Sequence, residues 1–374
     1  MASELTKSVG DGDSSPVDMT VPRLLVLSTK SPFPPRQGDE VRLLGLLRAA
    51  ATVGETTLAV WGGVARRSRA EGVAVQWLPV SSLVAMAGVI DQGIRGRPLA
   101  FGPYARGFPP VAGHWDLVIG FQLKTWRWAQ SVRANIHVLD MVDALSWYAQ
   151  SPEMPAAKRC QLRGIRREES VACQLFDQVW VSSKHDQQYL ASTTGAEIQM
   201  VPNGPLKIDP LPAAKEGKRV LFVGNHTYPP NRQGIAWFLR EIWPQLQREG
   251  FTLDLVGKGS EPFRKHVGVR VWGQVDEVEP FYAQAKCVIS PVWWGGGSQS
   301  KIWEALGYGR RIVVQPEAAA GIGPIDGMVV ASGREEWVVA IRDTANEVSP
   351  LGDFPPMVTT HMAQALRRVL SHAI

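Results

Sequence analysis

Cysteine is scarce in this 374-residue chain, which holds only Cys160, Cys173 and Cys287. Thiols so few and scattered make neither a disulfide framework nor a zinc site. Long hydrophobic runs are also missing: charge or glycine interrupts every apolar stretch well short of the ~20 residues that a membrane span needs. No apolar core of signal-peptide type follows Met1, and the first twenty residues are polar. These absences lead us to expect a cytosolic location. The sole Asp-x-Asp, Asp11-Gly-Asp13, lies in that polar stretch and there is no His/Cys cluster, so no metal is expected. No loop ends in Gly-Lys-Ser/Thr and none reads G-x-G-x-x-G, which argues against a Walker site and against a dinucleotide dehydrogenase.

Apolar residues make up 45% of the chain and charged ones 20%, which excludes global disorder. At about 150 residues per domain the length suggests two domains, or one large one. Charge is unevenly divided: residues 1–20 carry −3, residues 21–205 carry +6 and residues 206–374 carry +2. The excess gathers at Arg66, Arg67 and Arg69, at Arg95, Arg97 and Arg106, and from Lys158 to Arg167. Such patches suit lipid head groups, a phosphorylated substrate or nucleic acid, although an ordinary solvated surface fits any one of them equally well. Arginine alternates with tryptophan at Trp126-Arg127-Trp128, but there is no RNA-binding signature, and no nucleic acid partner is expected.

After a tail to about residue 20 that should be disordered, buried-strand patterns recur at Arg23–Ser28, Thr57–Trp61, Val73–Leu78, Asp116–Gly120, His137–Leu139, Gln178–Val181 and Ile198–Val201. A helix over Asp39–Ala51 carries Val41, Leu44, Leu47 and Ala51 at helical spacing. The pattern pauses at Pro202-Asn203-Gly204-Pro205. It resumes with strands at Arg219–Gly224, Thr252–Val256, Val269–Trp272, Cys287–Ser290, Arg311–Val314 and Met328–Val330, and a helix over Arg232–Glu249. Alternation of this kind predicts an α/β fold of two doubly wound, Rossmann-like domains. Residues 21–205 would form the first and 206–350 the second, with an amphipathic helix over 351–374. Two such sheets facing a cleft can bring two ligands together, which favours group transfer.

The strongest chemical signal is Trp293-Trp294-Gly295-Gly296-Gly297-Ser298-Gln299-Ser300-Lys301, where a strand leads through three glycines into a helix. Glycine lets backbone N–H groups approach an anion, the helix start adds positive potential, and Lys301 adds a full charge. Glu304 projects from the same end and can accept hydrogen bonds from vicinal hydroxyls, so Gly297, Ser298, Lys301 and Glu304 would suit a diphosphate next to a ribose. A tight turn with Glu304 as a helix-dipole partner fits the same residues equally well. Of the adjacent Trp293 and Trp294, one could stack on a base or sugar while its neighbour is buried. A second strand–glycine–helix run offers Gly224, Asn225 and Arg232, and a third, Pro34 to Glu40, offers Gln37 and Gly38. Asp140 and Asp143 follow a strand end that should aim them at the cleft to bind a hydroxyl or take its proton, although Asp143 or Ser146 could instead cap a helix, a common arrangement.

These residues together resemble bacterial GT-B glycosyltransferases of the retaining, family-four-like group (glycosyl transferases group 1). The similarity rests on Leu221–Asn231 with Trp237-Phe238 and Trp243-Pro244, on Val201-Pro-Asn-Gly204, and on Gly297–Gly309 with Val313-Val314. At the front it rests on Pro32–Gly38, Arg42 and Asp140-Met-Val-Asp143. The resemblance implies a nucleotide-diphosphate sugar held by the second domain and a glycan or lipid-linked acceptor held by the first, on the side of Gln37, Gly38 and Arg42. It implies that Glu304 binds the donor ribose, that basic residues hold the diphosphate, and that the last helix crosses back to the first domain. A hexosyl transfer with retention, in polysaccharide or cell-envelope biosynthesis, would then need no metal and no cofactor beyond the sugar nucleotide. The chain departs from the family where an earlier glutamate falls on Gly296, where a frequent arginine is Asn225, and where a frequent histidine gives way to Phe121-Gln122. A nucleotide-sugar-modifying enzyme of epimerase type, or a non-catalytic nucleotide binder with a decayed site, are the alternatives. The Arg-bearing apolar stretch from Val80 to Phe108 either rests on an anionic membrane, placing the protein peripherally on the inner face of the plasma membrane, or forms a buried helix pair.

Overall fold

The computed structural model describes residues 21–62, 65–79, 81–94, 101, 104, 107–154, 156–214, 217–295, 299–347 and 349–371. The tail expected over residues 1–20 therefore lies outside the described residues, as do Gly296, Gly297 and Ser298. Strands β1 (Arg23–Ser28), β2 (Glu55–Trp61), β3 (Arg66–Ala70), β4 (Val73–Leu78), β5 (Trp115–Phe121), β6 (Ala134–Val142), β7 (Gln178–Val181) and β8 (Ile198–Met200) form one sheet. Their order is β3-β4-β2-β1-β5-β6-β7-β8. The accompanying helices are α1 (Gly38–Val53), α2 (Ser82–Ile94), α3 (Trp126–Gln130), α4 (Leu145–Ala149), α5 (Ala156–Arg159), α6 (Leu162–Leu175) and α7 (Lys184–Thr194).

A second sheet contains β9 (Arg219–Val223), β10 (Thr252–Val256), β11 (Val269–Gly273), β12 (Cys287–Ser290), β13 (Ile312–Val314) and β14 (Met328–Val330), in the order β11-β10-β9-β12-β13-β14. Its helices are α8 (Pro229–Glu241), α9 (Trp243–Arg248), α10 (Glu279–Gln284), α11 (Ser300–Gly307), α12 (Pro316–Ala320) and α13 (Gly333–Asn346). Helix α14 (Val358–Ser371) ends the described chain.

The apolar runs read from the sequence become central strands because both faces are covered. In β1, Leu24 and Val26 point into one core with Leu43, Leu46 and Leu47 of α1, while Leu25 and Leu27 join Trp61, Trp128 and Leu139 on the other side. The second sheet repeats this, with Val220 and Phe222 on one face and Leu221 on the other. Helix α14 packs on the first domain through Val358, Met362, Leu366 and Val369, all buried in the core that contains α1. Its approach runs beside the domain junction, where the Val358 amide donates to the Pro205 carbonyl at 3.1 Å.

Two elements differ from the sequence reading. Strand β3, Arg-Arg-Ser-Arg-Ala, pairs antiparallel with β4 through a tight turn in which Glu71 (φ 50°) and Gly72 (φ 81°) both take left-handed backbone. It lies at the sheet edge with four of its five residues exposed, so it has no apolar alternation to be read. The helix expected over Arg232–Glu249 is two, α8 and α9, broken where Pro244 lacks the amide that a continuous helix would use. No helix among the described residues is long and apolar enough to cross a membrane.

Candidate active site

The carboxyl edges of the two sheets face one another, and most of the expected site residues that are described fall there in two groups. In the second domain β12 feeds the Gly-rich loop and α11 begins at Ser300, which puts Lys301 and Glu304 in the first two turns. Lys301 is half-buried, and its Nζ donates to Asn231 Oδ1 at 3.1 Å and Gln299 Oε1 at 3.3 Å, both neutral amides. Burial lowers its pKa to about 8, a shift partly opposed by Glu304. The half-buried Glu304 accepts a hydrogen bond from the Tyr282 hydroxyl at 2.8 Å, and burial raises its pKa. Gln299 is fixed in turn by the Ser290 hydroxyl at the end of β12.

Asn231, at the start of α8, ties this group to the loop after β9 through a 2.9 Å bond from its Nδ2 to the Asn225 carbonyl. Gly224 ends that strand under close packing: a Cβ there would lie 3.0 Å from Asn231 Nδ2 and 3.1 Å from the Phe222 ring. Asn225 is exposed, and its Oδ1 shapes the loop by accepting from the Thr227 amide and hydroxyl at 2.9 and 2.7 Å. Arg232 is exposed in the first turn of α8 and makes no ion pair among the described residues. His226 is buried between Phe222 and Phe263, and neither ring nitrogen has a partner among the described residues. Burial lowers its pKa to about 4, which keeps it neutral.

In the first domain the two aspartates separate. Asp140 does not face the cleft, contrary to expectation. It is fully buried and receives Arg42 at 2.9 Å from both Nε and Nη2. Arg42 likewise is not an acceptor-facing side chain: it is 1% exposed, and its Nη1 donates to the Val201 carbonyl at 2.9 Å and Asn203 Oδ1 at 2.7 Å. This buried pair pins α1 and β6 to the domain junction, and its fully satisfied geometry suits an architectural role. Val142, between the two aspartates, has φ 70°, a costly value for a β-branched residue, and it turns Asp143 out of the strand's alternation.

Asp143 is half-buried, and its carboxyl has no hydrogen-bond partner among the described residues. Burial, reinforced by Asp186, Asp39 and Glu169 against a weaker pull from Arg42, raises its pKa to about 8. Asp186 and Glu169 hold the backbone around it, accepting from the Ala144 amide at 3.0 Å and the Ser146 amide at 2.9 Å. The capping role considered for Asp143 therefore goes to other residues. Gln122, also in left-handed backbone (φ 67°), ends the adjacent strand and donates to Asp39 Oδ2 at 2.8 Å.

The two groups meet. A Cβ on Gly38 would lie 2.6 Å from Ser300 Oγ, so the N-termini of α1 and α11 converge across the cleft. Gln37 is exposed beside them. On the far side Tyr148 of α4 stacks on Trp294 (centroids 5.6 Å apart, planes 13° apart) and on Tyr228 (6.0 Å, 26°), bridging the domains. Trp294 donates to Gln233 Oε1 at 2.8 Å, whereas Trp293 turns away to meet Trp237 edge-on at 6.3 Å. Sequence reasoning missed Asn231, Tyr282, Gln299 and Tyr148, because each works through a partner that is distant or inconspicuous in the chain.

Residues 217–347 match the family model of the glycosyl transferases group 1. No curated protein matches the sequence. Among solved structures, sucrose-phosphate synthase from Thermosynechococcus elongatus is 13% identical with a TM-score of 0.61, covering 93% of this chain and 95% of its own. An Escherichia coli structure described as trehalose-6-phosphate bound with UDP-2-fluoro glucose is 12% identical with a TM-score of 0.59 (94% and 97%). Anabaena HepE in complex with UDP-glucose is 14% identical with a TM-score of 0.58 (94% and 95%). The chain thus has the GT-B fold, and within it residues 217–347 are similar to the glycosyl transferases group 1.

Proposed function

We propose that the protein transfers a hexose, with retention, from a nucleotide-diphosphate sugar to a glycan or lipid-linked glycan acceptor in bacterial polysaccharide or cell-envelope assembly. One observation carries this reading: Lys301 is a half-buried cation whose hydrogen-bond partners among the described residues are neutral amides, which supports completion of its site by an anion from outside the chain. Arg232 and the Gly297-Ser298 segment supply further positive charge and amides to the diphosphate, and Glu304 takes the ribose hydroxyls. Neighbours bound to UDP-glucose and UDP-2-fluoro glucose make a uridine-linked hexose the first donor to test. Gly224 and Asn225 form the floor of the donor loop, while Gln37 and Gly38 border the acceptor.

In the transfer, the bond from the anomeric carbon to the diphosphate breaks and a bond to the acceptor oxygen forms on the same face. The acceptor proton passes to the leaving phosphate oxygen, whose charge Lys301 stabilises. Asp143, protonated at neutral pH, donates a hydrogen bond to a sugar hydroxyl and thereby orients the reacting ring. This reading assigns the counter-charge to side chains, with neither a metal nor a resident cofactor. The basic first domain supports an acceptor presented at the inner face of an anionic membrane.

Lys301→Ala and Glu304→Gln should each lower kcat/KM about a hundredfold or more while leaving the fold intact by circular dichroism. Full activity in both folded variants would reject the site. Consumption of donor at an undiminished rate without acceptor would instead favour an epimerase-type enzyme. The anomeric configuration of the product, read by NMR, tests retention.

A further inference from the structure

Helix α2 has its apolar residues on the outside. Leu83, Met86, Ile90 and Ile94 recur at three- and four-residue spacing and are 75%, 58%, 57% and 82% exposed. They form one stripe about 16 Å long on the outer surface. Its inner side carries Gly88 and Gln92, both buried, with Ala85 and Val89 partly so. A helix that only covered its own domain would be patterned the other way round. The Val80–Phe108 stretch is thus not a buried helix pair over its described part.

The charge near this stripe is mainly positive. Arg66, Arg67 and Arg69 of β3 are exposed and make no ion pair among the described residues, and Arg66 lies over the Trp77 ring at 4.4 Å. In the β3–β4 register Arg66 sits opposite Trp77, at the end of β4 from which the chain passes directly into α2. Between Gly72 and His114 the sequence has a single acidic residue, Asp91, against Arg95, Arg97 and Arg106. Because β4 runs parallel to β2, it delivers α2 from the same carboxyl edge of the sheet that carries Asp143.

We propose that α2 is an interfacial helix that docks the first domain on an anionic bilayer. Leu83, Met86, Ile90 and Ile94 enter the boundary of the acyl chains while Arg66, Arg67 and Arg69 meet the lipid phosphates. A protein groove could take the same apolar stripe, but it would not account for the unpaired arginines next to it. The inference deepens the membrane part of the proposed function. Vesicle binding needs neither donor nor turnover, so its failure leaves the transfer reading standing, and an inactive Glu304→Gln leaves the docking reading standing.

The test is flotation of the full chain with vesicles of phosphatidylcholine, with and without phosphatidylglycerol. The wild type should float only with phosphatidylglycerol present, and less so as salt rises. The double variant L83S/I90S and the triple variant R66Q/R67Q/R69Q should each bind about tenfold less or weaker, with circular dichroism melts like the wild type because all five positions are exposed. No binding by the wild type, or undiminished binding by the two variants, would overturn the proposal. So would a wild-type dimer in solution that L83S/I90S dissociates, which would make a second copy of the chain the occupant of the stripe.

Discussion

Replacing Asp143 by asparagine should stabilise the protein at alkaline pH while impairing transfer. Burial and the neighbouring Asp186, Asp39 and Glu169 raise the folded-state pKa of Asp143 from 3.8 to about 8. The folded state therefore keeps a proton on Asp143 that the unfolded chain has released, and the sign follows from linkage. Below pH about 4 the group is protonated in both states and contributes nothing. From pH 4 to 8 the wild type loses stability steadily relative to the asparagine variant, and above pH 8 the difference is constant. At about 1.36 kcal/mol per unit the ceiling is roughly 5–6 kcal/mol. Partial water access to a half-buried carboxyl lowers this to about 1–3 kcal/mol. Denaturant melts of both proteins at pH 4.5, 6, 7.5 and 9, following the first domain's transition, measure it. Stability curves that run parallel across this range would refute the raised pKa, and a variant with normal turnover would refute the role in orienting the sugar.

Three further outcomes follow from the geometry. Arg42→Met leaves Asp140 buried and unpaired and cuts the ties to Val201 and Asn203, so the first domain should lose about 3–5 kcal/mol in urea unfolding. Tyr148→Ala removes the stack on Trp294 and Tyr228; it should loosen the closed arrangement of the domains, seen as a larger radius of gyration by small-angle scattering, with less than about 1.5 kcal/mol lost in stability. Nucleotide affinity should fall as pH rises through about 8, where free Lys301 loses its proton, and the Lys301→Ala variant should bind weakly without that step in isothermal titration.

What could be read in the chain depended on whether the signal was local. Strands β1, β4, β7, β10, β12 and β14 have the boundaries expected from their apolar runs; β1, β7, β10 and β12 are buried on both faces over most of their length and so are mostly apolar. The edge strand β3 has no such obligation and left no pattern. Lys301 and Glu304 were legible because a strand, a glycine loop and a helix start in immediate succession fix where their side chains go. Asp140 and Asp143 were not separable: three residues apart at one strand end, they are sorted by the left-handed turn at Val142 and by an arginine from α1, ninety-eight positions away. Tyr282 and Tyr148 owe their place to tertiary neighbours alone. The region of α2 was visible only as an apolar, Arg-bearing stretch, and only the folded chain decides which side of its helix faces water.

The central claim is that the cleft between the domains holds a nucleotide-diphosphate sugar at Lys301 and Glu304. Thermal melts of the purified protein with a panel of nucleoside diphosphates and their hexose conjugates test it most directly. One nucleotide should raise the melting temperature by several degrees at saturating concentration, and Lys301→Ala and Glu304→Gln should abolish the rise. A folded wild type that is stabilised by none of them, or variants that keep the full shift, would contradict it.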